Sequence, residues 1–227
     1  MIHIYSMSLY YTMQFVDHYI DWIQSRLAGI KKYIPESVFQ SKTLLELGAG
    51  HGKIGNAFHA LGAVVTSSDA RTEYVEYIKQ TYPHLDTFAL DADNDTIPKK
   101  YDIIVHWGLL YHLAELEEHL EDVSKKCDIL LLETEVYDSD EDDFYMRRRE
   151  LGFDDAFNGI GIRPTQNYVE RLLRERGFTV RCIQDPILNT DVHKYDWKAG
   201  VYGSWAVGVR RFWICWKNVE CPIREGL

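Results

Sequence analysis

Cysteine is scarce in this chain of 227 residues: Cys127, Cys182, Cys215 and Cys221 stand apart, and no two have C-x-x-C spacing. That pattern argues against a disulfide framework or a cysteine-ligated zinc site and fits a reducing, cytoplasmic compartment. Long hydrophobic runs are missing too. No apolar stretch reaches about 18 residues, and the N-terminus has no basic segment followed by an apolar one, so neither a membrane span nor a signal peptide is expected. Positive charge is in deficit, with 25 lysines and arginines against 35 aspartates and glutamates, a formal net charge of −10. A surface of that sign repels nucleic acid and anionic membrane unless a local basic groove works against the overall field. Internal repeats and low-complexity linkers are absent. What remains is 46% hydrophobic and 13% aromatic, enough for a proper core, and the length suits one domain spanning residues 1–227.

The richest stretch runs from Thr43 to Gly55. Leu44, Leu45 and Leu47 enclose one acid, Glu46, and the run then breaks into Gly48, Gly50, Gly52 and Gly55. This is the pattern of a buried strand, a tight turn and a helix. Glycines in such a turn let backbone N–H groups approach a ligand that a Cβ would hold away. A carboxylate at the strand end suits a cationic ligand better than a pyrophosphate. The same residues also fit the dinucleotide fingerprint G-x-G-x-x-G through Gly50, Gly52 and Gly55, so the rest of the chain has to decide.

Apolar residues at helical spacing from about Tyr10 to Tyr33 predict an amphipathic helix. Strands are expected over Thr43–Leu47, from Ala63 to Asp69, and over Leu85–Leu90, Tyr101–Trp107 and Phe178–Gln184, with another starting at Asp128 and a last over Val209–Trp216. Helices are expected after the glycine turn, over Arg71–Tyr82 and Ala114–Lys126, and after Thr165, a natural N-cap. Residues 137–164, opening with the acidic run Asp138–Asp143, read as an insertion. Alternating strands and helices demand right-handed βαβ units, a parallel sheet and helices on both faces. Ligands then bind beyond the carboxyl ends of the strands. Those ends carry the glycine turn, Asp69-Ala70, Asp91-Ala92 and His106-Trp107. A lone aspartate there is more often a turn residue or a cap; Asp93 and Asp95 lie close enough to replace Asp91.

Glu46, Gly48, Gly50 and Gly52 fill acid-x-Gly-x-Gly-x-Gly, and on them the chain resembles the class I S-adenosylmethionine (SAM) dependent methyltransferases over residues 40–217. The resemblance implies a Rossmann-like, seven-stranded, mostly parallel sheet closed by a C-terminal antiparallel strand, with SAM as cofactor. It implies that Glu46, Gly48, Ala49, Gly50 and Gly52 lie against the methionine half. Asp69 and Ala70 would meet the ribose, Asp91 and Ala92 the adenine, and His106 and Trp107 the methionine portion. From residue 100 onward the chain also resembles one branch, the tRNA wobble-uridine carboxymethyltransferases. Gly108, Leu110, Tyr111 and His112 match that branch, as do Glu133, Thr134, Val136, Asp138 and Asp140, with echoes in Arg163-Pro164-Thr165 and Arg210-Arg211. That branch uses a carboxylated SAM read by lysine, tyrosine and arginine, for which Tyr111 and either Arg210 or Arg211 are the counterparts here. It also carries a long N-terminal portion, whereas only some 40 residues precede the first strand, and a charge of −10 suits tRNA poorly. Ordinary SAM and a small polar acceptor are the expectation, with RNA modification or a catalytically silent SAM-binding subunit as alternatives.

Methyl transfer needs positioning, exclusion of water and, when the acceptor must lose a proton, a base. Tyr111, His112 and Glu133 are the candidate catalytic residues; His112 is either a base or a packing residue. Glu133 and Glu135 share one strand face, where one orients an acceptor or both serve the backbone. The segment 1–40, with Tyr10, Tyr11, Phe15 and Tyr19, is either a lid or a packed helix. Asp138–Asp143 is either a cation site or a solvated turn, and Arg147, Arg148 and Arg149 either neutralise it or bind an anionic acceptor. The aromatics from Tyr195 to Trp216 form an acceptor wall, an oligomer contact or core.

Overall fold

The computed structural model describes residues 20–152, 155–202 and 209–227. Tyr10, Tyr11, Phe15 and Tyr19 of the expected lid, and Trp205 of the aromatic stretch, lie outside the described residues. A first helix, α1 (20–33), precedes β1 (Thr43–Leu47), α2 (Lys53–Ala60), β2 (Val64–Asp69), α3 (Thr72–Thr81) and β3 (Asp86–Ala89). Then come β4 (Ile103–Trp107), α4 (Leu116–Lys126), β5 (Ile129–Glu135), β6 (Tyr145–Arg149), β7 (Ile160–Pro164), α5 (Gln166–Glu175), β8 (Thr179–Ile183) and β9 (Arg210–Trp216).

Seven strands form one sheet in the order β3-β2-β1-β4-β5-β9-β8. The first five are mutually parallel, while β9 runs antiparallel to both β5 and β8. The strand order reverses between β1 and β4, which places the ligand crevice over their carboxyl ends. The expected architecture is thus present.

Strand parity sorts the side chains to two cores. Leu44, Ile103, Val105, Leu131 and Phe212 pack with Ile30 of α1, Phe58 of α2 and Ile78 of α3. Leu45, Ile104, Leu130, Leu132 and Trp213 pack on the other side with Leu120 of α4 and Val169 of α5. Both strand faces are buried, which is why β4 and β5 read as continuous apolar runs.

Several expected limits shift. β4 starts at Ile103 rather than Tyr101, because the Asp102 carboxylate turns aside to accept the Thr43 N–H (2.9 Å) and hydroxyl (2.7 Å). α4 starts at Leu116 rather than Ala114, since Asp93 Oδ1 takes the N–H groups of Ala114 (2.8 Å) and Glu115 (3.2 Å). The insertion contains a structured hairpin, β6 and β7 paired antiparallel from Tyr145↔Pro164 to Arg149↔Ile160. Thr165 caps α5 as expected, accepting the Tyr168 N–H at 3.4 Å.

Candidate functional site

A cleft of ≈ 1100 Å³, counted to its open mouth, lies over the carboxyl ends of β1, β2 and β4. Its floor is the glycine turn. Gly48, Gly50 and Gly52 have φ of +64°, +51° and +71°, a region that L side chains seldom enter. A Cβ on Gly48 would meet Leu109 at 3.1 Å, and one on Gly52 would meet Ile78 at 2.8 Å. Asp69 closes the turn: Oδ2 accepts the Gly50 N–H (2.9 Å) while Oδ1 accepts the Arg71 N–H (2.9 Å). Burial raises its pKa against the pull of those two N–H groups. Each oxygen keeps a lone pair for a ligand hydroxyl.

Among the residues singled out from sequence, Gly48, Ala49, Gly50, Asp69 and Ala70 line the near side of this cleft. Asp91, Ala92, Trp107, Tyr111 and His112 line the far side. Asp91 accepts N–H groups from Asp93 (3.1 Å) and Asn94 (2.8 Å), while Asp95 turns back to hold the Asp91 N–H (2.9 Å). Asp93 shares the lining but is committed to the start of α4.

Glu46, Gly52, His106 and Glu133 do not line the cleft. The Glu46 side chain tucks beneath α2, where Oε2 accepts the Ser67 hydroxyl (2.6 Å) and stands 2.5 Å from where a Cβ on Gly55 would fall. That proximity is the reason Gly55 is glycine. Burial pushes the Glu46 pKa up to about 7, opposed by the Ser67 hydroxyl and the Gly55 N–H, and Oε1 has no hydrogen-bond partner among the described residues. This carboxyl therefore supports the turn from beneath and does not line the cleft, whereas the resemblance set Glu46 against the methionine half of the ligand.

His106 points to the α4 side, its Nε2 lying 2.7 Å from Nε2 of His119. His119 Nδ1 donates to the Ala92 carbonyl (3.0 Å), so its Nε2 must accept and His106 Nε2 must donate. Burial holds His119 down to about 4 and His106 well below its ordinary value, the latter helped by its neighbour. The pair is neutral and fixes the Ala92 turn from behind.

Glu133 is wholly buried and fully engaged. Its oxygens accept the Gly108 N–H (3.0 Å), the Tyr195 hydroxyl (2.9 Å) and Arg210 Nη1 (3.1 Å), and Arg26 pairs with it. Burial alone would raise its pKa, but Arg26 and then Arg210 outweigh that and hold it at about 2. An ionised carboxylate with this many donors has no capacity left for an acceptor, so it is a structural hub instead of a catalytic group. Arg26 stacks on Trp22 at 3.2 Å, and Trp22 Nε1 donates to the Tyr195 hydroxyl (3.0 Å). Trp22 and Ile23 thereby become the cleft wall above Gly108.

Tyr111 lies between two guanidinium groups, Arg163 at 4.7 Å and Arg210 at 4.8 Å from its ring centroid, and Arg210 Nη2 donates to its hydroxyl (3.2 Å). Beside it, His112 Nδ1 lies 2.5 Å from Glu150 Oε2. Arg163 supports the pair, forming ion pairs through Nη2 with Glu150 Oε1 (2.7 Å) and through Nε with Glu135 (2.9 Å), and donating through Nη1 to the Tyr111 carbonyl (2.9 Å). Burial opposes ionisation of Glu150, yet the His112 hydrogen bond and the Arg163 charge take it to about 2. Glu150 was not anticipated: it lies in the insertion, 38 residues from His112, and nothing in its surroundings marks it. The acidic run does not assemble at the cleft; Asp138 accepts the N–H groups of Gly200 (2.6 Å) and Tyr202 (2.7 Å). No group of metal-ligand type occurs among the described residues.

Residues 16–183 match the family model described as a methyltransferase domain. Over 90 residues the chain is 32% identical to 235L of Invertebrate iridescent virus 6, a protein named as a methyltransferase; the match covers 38% of this chain and 34% of the viral protein. Among solved structures, the N-terminal domain of EvdMO1, determined with S-adenosylhomocysteine (SAH) and D-fucose, superposes with a TM-score of 0.64 at 15% identity, covering 87% of this chain and 83% of that one. A SAM-dependent methyltransferase of Mesorhizobium loti gives 0.61 at 13% identity, covering 85% and 98%. Magnesium protoporphyrin IX methyltransferase of Synechocystis with bound SAH gives 0.57 at 13% identity, covering 86% and 81%. The glycine turn, the Asp69 carboxylate and the cleft lie together at the carboxyl ends of the strands, where ligands bind in such sheets, and the chain belongs to the methyltransferase domain family.

Proposed function

We propose that this enzyme methylates an oxygen or nitrogen of a small polar acceptor, with His112 as the base that takes the acceptor's proton. The observation that carries this reading is the His112–Glu150 contact in the cleft wall. A carboxylate on Nδ1 fixes the imidazole as the tautomer whose Nε2 is a free acceptor, and it steadies the imidazolium that forms. Bound SAM supplies an electrophilic methyl on a sulfonium. The glycine turn, where no Cβ crowds the approach, and the Asp69 carboxylate at the ribose would hold it, with Asp91 and the Ala92 turn at the adenine. Glu46, His106 and Glu133 shape these surfaces from behind. Trp22, Trp107 and Tyr111 exclude water at the acceptor end. The four free cysteines fit work in a reducing cytoplasm.

A screen of hydroxyl and amine acceptors, read as release of SAH, tests the proposal. With a responsive acceptor, His112→Gln should lose at least about 100-fold in turnover, the usual worth of a positioned base, while SAH affinity stays within threefold. Equal turnover would remove His112 as base. A second reading, carboxymethyl transfer, has one observation in its favour: Tyr111 and Arg210, the residues through which the chain resembles that branch, are hydrogen-bonded beside the cleft. Tighter binding of carboxy-SAM than of SAM would support it.

A further inference from the structure

One strand connection touches both ends of the cleft. The turn that leads into β7 sends the Asn158 amide to both oxygens of Asp91 (3.2 Å each) and to Asp93 Oδ2 (3.2 Å). The same turn is closed by the Gly159 N–H on the Ala156 carbonyl (2.9 Å). The Ala156 N–H in turn donates to Glu150 Oε2 (3.1 Å), the oxygen that His112 meets. The Glu150 N–H closes the circuit on the Gly159 carbonyl (3.0 Å). Arg71, next to Asp69, adds a second tie through Nη2 to the Asp155 carbonyl (2.8 Å). Hydrogen bonds joined by short lengths of backbone, 158–159 and Ala156, therefore link Asp91 on one side of the cleft to His112 on the other.

We infer that Asn158 is a positioning residue that couples occupancy of the adenosine end to the orientation of His112, acting through Ala156 and Glu150. Its physical basis is electrostatic. Asp91 and Asp93 repel one another, and the two amide hydrogens of Asn158 bridge them, so the turn is seated only while those carboxylates keep one arrangement. The Asn158 contacts to Asp91 are long and shared over both oxygens (3.2 Å each), so a ligand donor can take one of them and leave the amide on the other and on Asp93. That settles the arrangement, seats the turn, presents the Ala156 N–H to Glu150 and holds Glu150 on Nδ1 of His112. By linkage the coupling is reciprocal: loosening Glu150 must weaken binding at Asp91. The catalytic meaning of this coupling rests on His112 being the base.

The test uses SAH, needs no acceptor, and is a double-mutant cycle by calorimetry on the intact chain with Glu150→Gln, Asn158→Ala and both together. Each single variant should weaken SAH about three- to tenfold, although Glu150 does not line the cleft, and the double variant should lose less than the product of the two. Unchanged SAH affinity in Glu150→Gln, or a product equal to the double, would overturn the coupling. In the wild type, SAH should slow hydrogen exchange at the Ala156 amide; unaltered exchange there would overturn it without recourse to any variant. Undiminished turnover in His112→Gln, with the cycle still non-additive, would refute the base alone and leave the coupling standing.

Discussion

Cη2 of the Trp22 indole stands 2.6 Å from the point that a Cβ on Gly108 would occupy. Gly108 itself has φ of +71° and donates its N–H to the Glu133 carboxylate (3.0 Å). The end of β4 and the first helix thus touch through a residue that has no side chain to spare. Gly108→Ala combines left-handed strain with displacement of the indole. We expect a loss of about 1–3 kcal/mol in stability and about tenfold in SAH affinity by calorimetry. Unchanged binding would show that Trp22 gives way without disturbing the cleft.

Glu133→Gln removes the carboxylate that Arg26 and Arg210 share. Two buried guanidinium groups then face each other with no other carboxylate paired to them among the described residues, and urea unfolding should show a loss of about 3–5 kcal/mol. The folded-state pKa of about 2 lies below the ordinary 4.5, so the stability Glu133 contributes is present above pH 4.5 and lost as pH falls toward 2. A loss under about 1 kcal/mol would mean that the hub is replaceable.

Glu46 gives the opposite sign. Its folded-state pKa of about 7 exceeds the ordinary 4.5, so the folded chain holds this proton more tightly than the unfolded one. The associated stability is complete below pH 4.5 and disappears as pH rises through 7, about 3 kcal/mol at most. Glu46→Gln keeps the shape without the titration. Its midpoint of thermal unfolding should fall below or match the wild type at pH 5 and exceed it at pH 8. Parallel profiles for the two proteins would refute the assignment.

Asp69→Ala should weaken SAH by about 1–3 kcal/mol, the worth of a charged hydrogen-bond partner. Because Asp69 also holds the Gly50 and Arg71 N–H groups, a smaller loss of unfolding free energy should accompany it. Asp69→Asn, which keeps one acceptor oxygen, should recover part of both. Wild-type affinity in the alanine variant would remove the carboxylate from the binding site.

The sheet was legible because β1, β4 and β5 announce themselves by apolar continuity, and because the strand ends carry the site in chain order. Parity would have gone further. His106 alternates with Val105 and Trp107 and shares the face of Ile104, which packs beneath α4, so its absence from the cleft follows from its place in the strand. The same rule puts Glu133 with Leu131 on the α1 side, although nothing local reveals that Arg26 and Arg210 converge on it. Glu46 deceived because a motif specifies that an acid is needed and leaves its direction open; the Gly55 contact decides that. Glu150 and Asn158 were illegible for a plainer reason. Their partners lie 38 and 67 residues away, joined by a hairpin whose arginine-rich strand carries no apolar alternation.

The glycine turn, Asp69 and Asp91 all fall within the first hundred residues, yet the wall above them is anchored by Arg210 on the last strand to pair. Trimming or exchanging the β9 segment would therefore leave the glycine turn whole and still dismantle its roof, because Arg210 is one of the two cations that hold Glu133.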